Sequence, residues 1–192
     1  MFKNRRNIFL IIGTIALLAV FGSFIKAEAV AYRHPVVDIK PMMAKLIIFL
    51  VWLAFVQAKW EIQIEGKDGW ARELPCWRMN VFFRKLLGGK ALTGYHTWML
   101  LLFLTFFHGI FLFLNWNIRI ECLTIGVFLW YFVIEDFLWF ILNKHYGIKR
   151  FLDKKISWHK RWVGALPLTY WIGAILGTIL IYIGLGLLRY RA

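Results

Sequence analysis

Long apolar stretches alternate with short basic ones along this chain. Five of the apolar stretches predict helices that cross a bilayer: residues 8–25, 42–58, 95–115, 122–143 and 163–188. A helix rises about 1.5 Å per residue, so roughly 20 residues cover the ~30 Å hydrocarbon core. The second run only just reaches. The pattern predicts an all-α fold: a polytopic membrane helical bundle of five transmembrane helices joined by interfacial loops rich in aromatic and basic residues. Residues 1–192 form one integral membrane domain, because the longest polar stretch, Lys59–Gly94, leaves no room for a separate soluble one. No internal repeat or low-complexity tract interrupts this reading.

The first run has a rival interpretation. Basic residues, an apolar core and Ala27-Glu28-Ala29 together look like a secretory signal with a small-residue cleavage site. The apolar stretch exceeds the ~7–15 residues of a signal core, and Lys26 directly precedes the cleavage site. A retained anchor is therefore the expectation.

The loops fix the orientation. With the N-terminus in the cytoplasm, Lys3, Arg5 and Arg6 lie inside, as do the Lys and Arg residues of 59–90 and 144–161. Only Lys26, Arg33, Lys40, Arg119, Arg189 and Arg191 lie outside. That asymmetry obeys the positive-inside rule and puts the C-terminus outside, in what reads as a prokaryotic inner membrane. Trp116–Glu121 becomes a short outer hairpin. Within the first inner loop, Glu61–Ile64 alternates like a short strand, Gly66 and Gly69 mark a turn, and Arg78–Leu87 suits an interfacial helix ended by Gly88-Gly89.

Composition agrees: 61% of residues are hydrophobic, against ~45–50% in soluble domains. The formal net charge of +14 would suggest nucleic acid in a soluble protein. Here the basic residues lie in loops where membrane lipids are the expected partners, and no nucleic-acid binding is expected. Cys76 and Cys122 fall on opposite sides of the membrane and are read as structural thiols.

Glu135 and Asp136 change the picture most. Ionised carboxylates are expensive in hydrocarbon, so such residues face a bundle interior or a wet cavity. Adjacent positions on a helix differ by about 100°, so the two acids do not form a ready dyad. Tyr131 shares a face with Glu135, and Asn143 shares one with Asp136. His96, His145 and His159 fall at the inner ends of spans. Imidazole and carboxylate together suit a divalent zinc, iron or manganese ion, so Glu135, Asp136, His96, His145 and His159 are the expected metal ligands. No compact motif such as H-E-x-x-H supports them. A deep bis-His haem is not expected, because His96 and His108 share one helix and the other spans hold no histidine. Thr105 and His108, with Asn115, form a further polar stripe inside the third span.

Asp68-Gly69-Trp70-Ala71-Arg72 resembles the opening of the CDP-alcohol phosphotransferase motif. It has one residue between the D-G and A-R pairs where that family has two, and the family's further acids are missing. The chain is not assigned there. In the fifth span, Gly173 and Gly177 form G-x-x-x-G, which permits close helix packing. Internal packing is the expectation, with a homodimer or a membrane partner on that face as the alternative.

The leading functional expectation is a membrane-embedded enzyme acting on a lipid or other hydrophobic substrate at the cytoplasmic interface. Glu135 and Asp136 would be its catalytic groups, and Asn143, Lys160 and Arg161 would hold Asp136 and an anionic head group. The alternatives are a small transporter or proton-coupled carrier using His108 and Glu135, and a non-catalytic accessory subunit of a membrane complex.

Overall fold

The computed structural model describes residues 39–79 and 91–189. The expected first span, residues 8–25, and most of the expected interfacial helix Arg78–Leu87 lie outside the described residues. The chain divides into two units, Met1–Lys45 and Leu46–Ala192. The described part of the first is the opening turns of helix α1. The second unit holds the rest of the described chain and the candidate site.

The described chain holds five α-helices, one 3₁₀ turn (Gly109–Leu112) and two tiny antiparallel strand pairs: α1 (Ile39–Glu65), β1 (Arg78–Met79), β2 (Leu92–Thr93), α2 (Gly94–His108), α3 (Ile118–Leu142), α4 (Ile148–Leu152), β3 (Trp162–Val163), β4 (Leu166–Pro167) and α5 (Leu168–Arg189). Among the described residues, four helical stretches are long and apolar enough to cross a membrane: Met43–Glu65, Gly94–Leu112, Ile118–Leu142 and Leu168–Gly186. Their large apolar side chains point outward. Ile47, Trp98, Leu102, Phe106, Ile175 and Ile179 are all exposed. The polar residues point inward: Gln57, Glu61, Glu65, His96 and Glu135 are buried. Apolar outside and polar inside is the arrangement of a helical membrane protein rather than of a water-soluble bundle.

α1 runs well past the expected end at residue 58. Glu61–Ile64, which alternates like a strand, is helical. The reason lies in a second periodicity. Leu50, Ala54, Gln57, Ala58, Glu61, Ile62 and Glu65 are all buried and recur at helical spacing. The polar members of this stripe break the hydropathy signal without breaking the helix. Gly66, at φ +67°, ends it.

α2 begins where Thr93 caps it. The Thr93 hydroxyl accepts the His96 backbone N–H at 3.2 Å. α3 begins a turn earlier than hydropathy indicates, because Asn117 accepts the Arg119 N–H at 2.8 Å. Before α5, the run expected to be helical from residue 163 opens as a hairpin, with Trp162 opposite Pro167 and Val163 opposite Leu166. Gly164 turns it at φ +60°.

α3 is the central element. The Tyr131 hydroxyl donates to Gln57 Oε1, and the Asn143 amide donates to the Gly66 carbonyl at 2.9 Å. These pairs ascend together, so α1 and α3 run side by side in parallel. α5 is antiparallel to α3 and packs on it through small residues. A Cβ on Gly126 would lie 2.8 Å from the Gly177 carbonyl oxygen, one on Gly173 would lie 2.9 Å from Val133, and one on Gly184 would lie 2.5 Å from Leu123. The Gly173/Gly177 face is therefore filled from within the chain. α2 packs on α3 through rings: Phe103 lies 5.2 Å from Tyr131, and Phe107 lies 5.7 Å from Phe128.

The loops 66–79 and 143–167 fold over one end of this bundle. Their aromatic residues do not simply lie in the interface as expected. Tyr146, Phe151, Ile156 and Trp158 are buried with Trp139, Phe140 and Tyr170 in one cluster. Arg150 covers the Tyr146 ring at 4.7 Å, and burial pushes the Tyr146 hydroxyl above its ordinary range while Arg150 opposes the rise. Asn143 anchors the second loop. Its side-chain oxygen accepts the backbone N–H groups of His145 and Tyr146, each at 3.1 Å. Asn143 is fully buried, so Asn143→Ala strands those donors and the Gly66 carbonyl. The expected loss is about 2–3 kcal/mol of stability, read as a lowered unfolding midpoint in detergent.

Candidate acid and histidine cavity

A cavity of about 460 Å³ lies on α3 at the loop-covered end. Its walls are apolar: Met99 and Leu100 from α2, Leu129, Phe132 and Val133 from α3, Ile172 and Leu176 from α5. Its polar lining is Glu61, Glu65, His96, Glu135, Asp136 and Tyr170. Among the described residues that line it there is no Lys or Arg. Ile172 and Leu176 are each 49% exposed, so the cavity wall on α5 reaches the outer surface of the described bundle.

Each acid is placed by helix geometry. Glu61 and Glu65 are one turn apart on α1 and share a face. Glu135 lies one turn beyond Tyr131 on α3, so the Tyr131–Gln57 contact sets Glu135 level with Glu61. Glu61 approaches both Glu135 and Tyr95. Even so, the buried Glu135 Oε1 lacks a well-formed hydrogen bond among the described residues. Glu65 Oε1 accepts the Ala71 N–H.

His96 sits in the first turn of α2. Its Nδ1 lies 2.6 Å from Thr93 Oγ1. Its Nε2 faces the two acids of α1, 3.5 Å from Glu65 Oε1 and 3.8 Å from Glu61 Oε1. Ligand atoms of Glu61, Glu65 and His96 all lie within 4.8 Å of one another, and all three residues are buried. The Trp70 ring stacks on His96 at 4.0 Å. Trp70 and Ala71 both adopt positive φ, 50° and 51°, which costs non-glycine residues about 1–2 kcal/mol each. The Glu65 carboxylate and the Arg78 guanidinium, which donates to the Ala71 carbonyl, hold that turn in place.

Asp136 turns toward α5 and the second loop. His159 Nε2 lies 2.9 Å from its Oδ2, and the Tyr170 hydroxyl donates to the same oxygen. His159 is 3% exposed.

The residues singled out from sequence therefore separate. Glu135, Asp136 and His96 line the cavity, and His159 stands behind Asp136. His145 is exposed and lies outside the cavity. Asn143 bonds to Gly66 and to the loop backbone rather than to Asp136. Tyr131 bonds to Gln57 rather than to Glu135. Lys160 and Arg161 are exposed in the second loop. Thr105 donates to the Leu101 carbonyl of its own helix at 2.8 Å. His108 pairs with Glu121 at 3.0 Å at the opposite end of the bundle. Asp68, of the D-G-x-A-R segment, lies 3.9 Å from Arg72 in the first loop.

Hydropathy hides Glu61 and Glu65, because it assigns both to a polar loop. The spacing of Gln57, Glu61 and Glu65 is the signal that finds them.

Gly69 admits the loop over the cavity. A Cβ there would lie 2.6 Å from Trp158 and 2.8 Å from Trp139, and its φ is +65°. Gly69→Ala is expected to cost roughly 2–4 kcal/mol and to increase quenching of tryptophan fluorescence by acrylamide as the loop lifts.

Comparison with protein-family models, curated proteins and solved structures returns no match to this chain. Its class is set by its own architecture, a helical protein whose apolar helices are those of a membrane protein enclosing a buried Glu/Glu/His group.

Proposed function

We propose that this protein is a membrane-embedded enzyme acting on a lipid or another substrate with an apolar tail. One observation carries the reading: a cavity with apolar walls formed by α2, α3 and α5 is also lined by four carboxyl groups and an imidazole. Ligand pockets combine apolar walls with a few convergent polar groups in this way. A tail entering from the bilayer lies along Leu129, Phe132 and Leu176, and its polar head meets Glu135 and Asp136. Glu135 is the acid or base, because its oxygen is buried and lacks a well-formed hydrogen bond. His159 and Tyr170 position Asp136.

In this reading the basic loops put the covered end on the cytoplasmic side, and residues 8–25 supply a fifth span. An aromatic layer favours an enzyme over a carrier. Phe103, Phe107, Phe128 and Phe132 pack around Tyr131, and positions 128, 131 and 132 lie between Glu121 and Glu135 along α3, which supports separate roles for the two polar groups.

The test is conversion of lipid. The full chain is reconstituted in vesicles of bacterial polar lipid extract and the lipids are followed by mass spectrometry. Wild type is expected to deplete one lipid class and accumulate a product. Leu129→Trp, which fills the cavity, is expected to stop this while the protein stays folded. No change with wild type, or equal conversion by Leu129→Trp, contradicts the proposal.

A further inference from the structure

We infer that Glu61, Glu65 and His96 bind one divalent transition-metal ion, with Glu135 beside the site and outside the ligand set. The site lies in the same cavity as the proposed reaction but does not depend on there being one.

Three observations converge. The first is spacing. The His96 Nε2 distances to Glu65 and Glu61, 3.5 and 3.8 Å, exceed the 2.7–3.2 Å usual for a hydrogen bond. Two ligands each ~2.1 Å from a tetrahedral ion stand roughly 3.4 Å apart. The ligand atoms of the three side chains therefore stand at the spacing of ligands around one ion.

The second is orientation. Thr93 Oγ1 at 2.6 Å from Nδ1 fixes the ring so that Nε2 faces the acids. Metal-binding histidines are held through their other nitrogen in this way. Thr93 is fully buried, and it also caps the helix that carries His96.

The third is charge. Glu61, Glu65 and Glu135 are buried side chains that line one cavity together. Glu135 is 3% exposed, and its Oε1 is buried and lacks a well-formed hydrogen bond among the described residues. Buried carboxylates need a counter-charge or a metal, and a dication supplies two charges at the point where these side chains meet. Imidazole and carboxylate oxygen select zinc, iron or manganese over the ions favoured by thiolates. Three protein ligands leave a position open, as in catalytic sites.

Metal content tests this directly. Full-length protein in detergent is loaded with Zn²⁺ or Mn²⁺ in separate experiments, desalted and assayed by elemental analysis. Wild type is expected to retain one ion per chain. His96→Ala, Glu61→Gln and Glu65→Gln are each expected to weaken binding at least tenfold. Asp136→Asn and His145→Ala are expected to retain it. X-ray absorption of zinc-loaded wild type needs no variant, and is expected to give a shell of nitrogen and oxygen with one imidazole. No ion retained by wild type, retention in all three ligand variants, or a sulfur-containing shell overturns the inference. Metal without lipid conversion contradicts only the enzymatic reading, and conversion without metal contradicts only this one.

Discussion

Gly126→Leu is expected to separate α3 from α5 and to destabilise the protein by about 3 kcal/mol or more, at the upper end for overpacking. The glycine faces the backbone of Gly177, and a single added carbon already lies 2.8 Å from a carbonyl oxygen and from an Ile181 side-chain carbon. Backbone does not move aside as a long side chain does, so the helices must part along the whole seam from Gly173 to Gly184. In a membrane, helices are held by close packing and interhelical hydrogen bonds rather than by exclusion of water. Opening this seam also breaks the Trp130–Thr178 hydrogen bond at 3.1 Å and displaces Tyr170 from Asp136. Loss of helical signal on titration with a denaturing detergent measures the effect. Gly186→Leu is the control. Nothing lies within 4 Å of its added Cβ, and a change within about 0.5 kcal/mol is expected.

Glu135→Gln is expected to lower lipid conversion by about 10²–10⁴-fold, the range for removing a general acid or base. The substitution keeps size and hydrogen-bonding capacity, so the cavity and the α1–α3 contact should persist. Because Glu135 is buried among other acids, replacing it with an uncharged side chain of the same shape should leave stability unchanged or raise it. Lower turnover without lower stability is what distinguishes a working group from a structural one. A variant that loses both in step would make Glu135 a packing residue.

The helices of this fold were legible in the sequence because lipid-facing surfaces need unbroken apolar stretches. Boundaries were less so, since hydropathy sees polarity and not hydrogen bonds. Thr93 and Asn117 start α2 and α3 by capping, and each start is set by one side-chain oxygen. At α1 the error had the opposite cause. Gln57, Glu61 and Glu65 look like the beginning of a loop when scored by polarity, yet they repeat at one face of a helix. Glu135 and Asp136 were readable as an interior site because charge in an apolar run has few other places to go. The partners of that site were not readable. His96, His145 and His159 had equal standing by sequence, and only the fold of the two loops brings His96 onto the α1 acids and His159 onto Asp136, leaving His145 outside. Gly69 was readable as a turn, but its close approach to Trp139 and Trp158, and the stacking of Trp70, were not, because they depend on rings that arrive from distant parts of the chain.

The central claim is that the acids of α1 and α3 face one another inside the bundle, and pairwise thiol cross-linking measures that most directly. In a background lacking Cys76 and Cys122, cysteines replace Glu61 and Glu135, and membranes are treated with the shortest bifunctional thiol reagent. Rapid cross-linking is expected for that pair. Little is expected when the first cysteine is moved to Gln63, which is exposed on the other side of α1. Equal cross-linking from position 63, or none from position 61, would contradict the account.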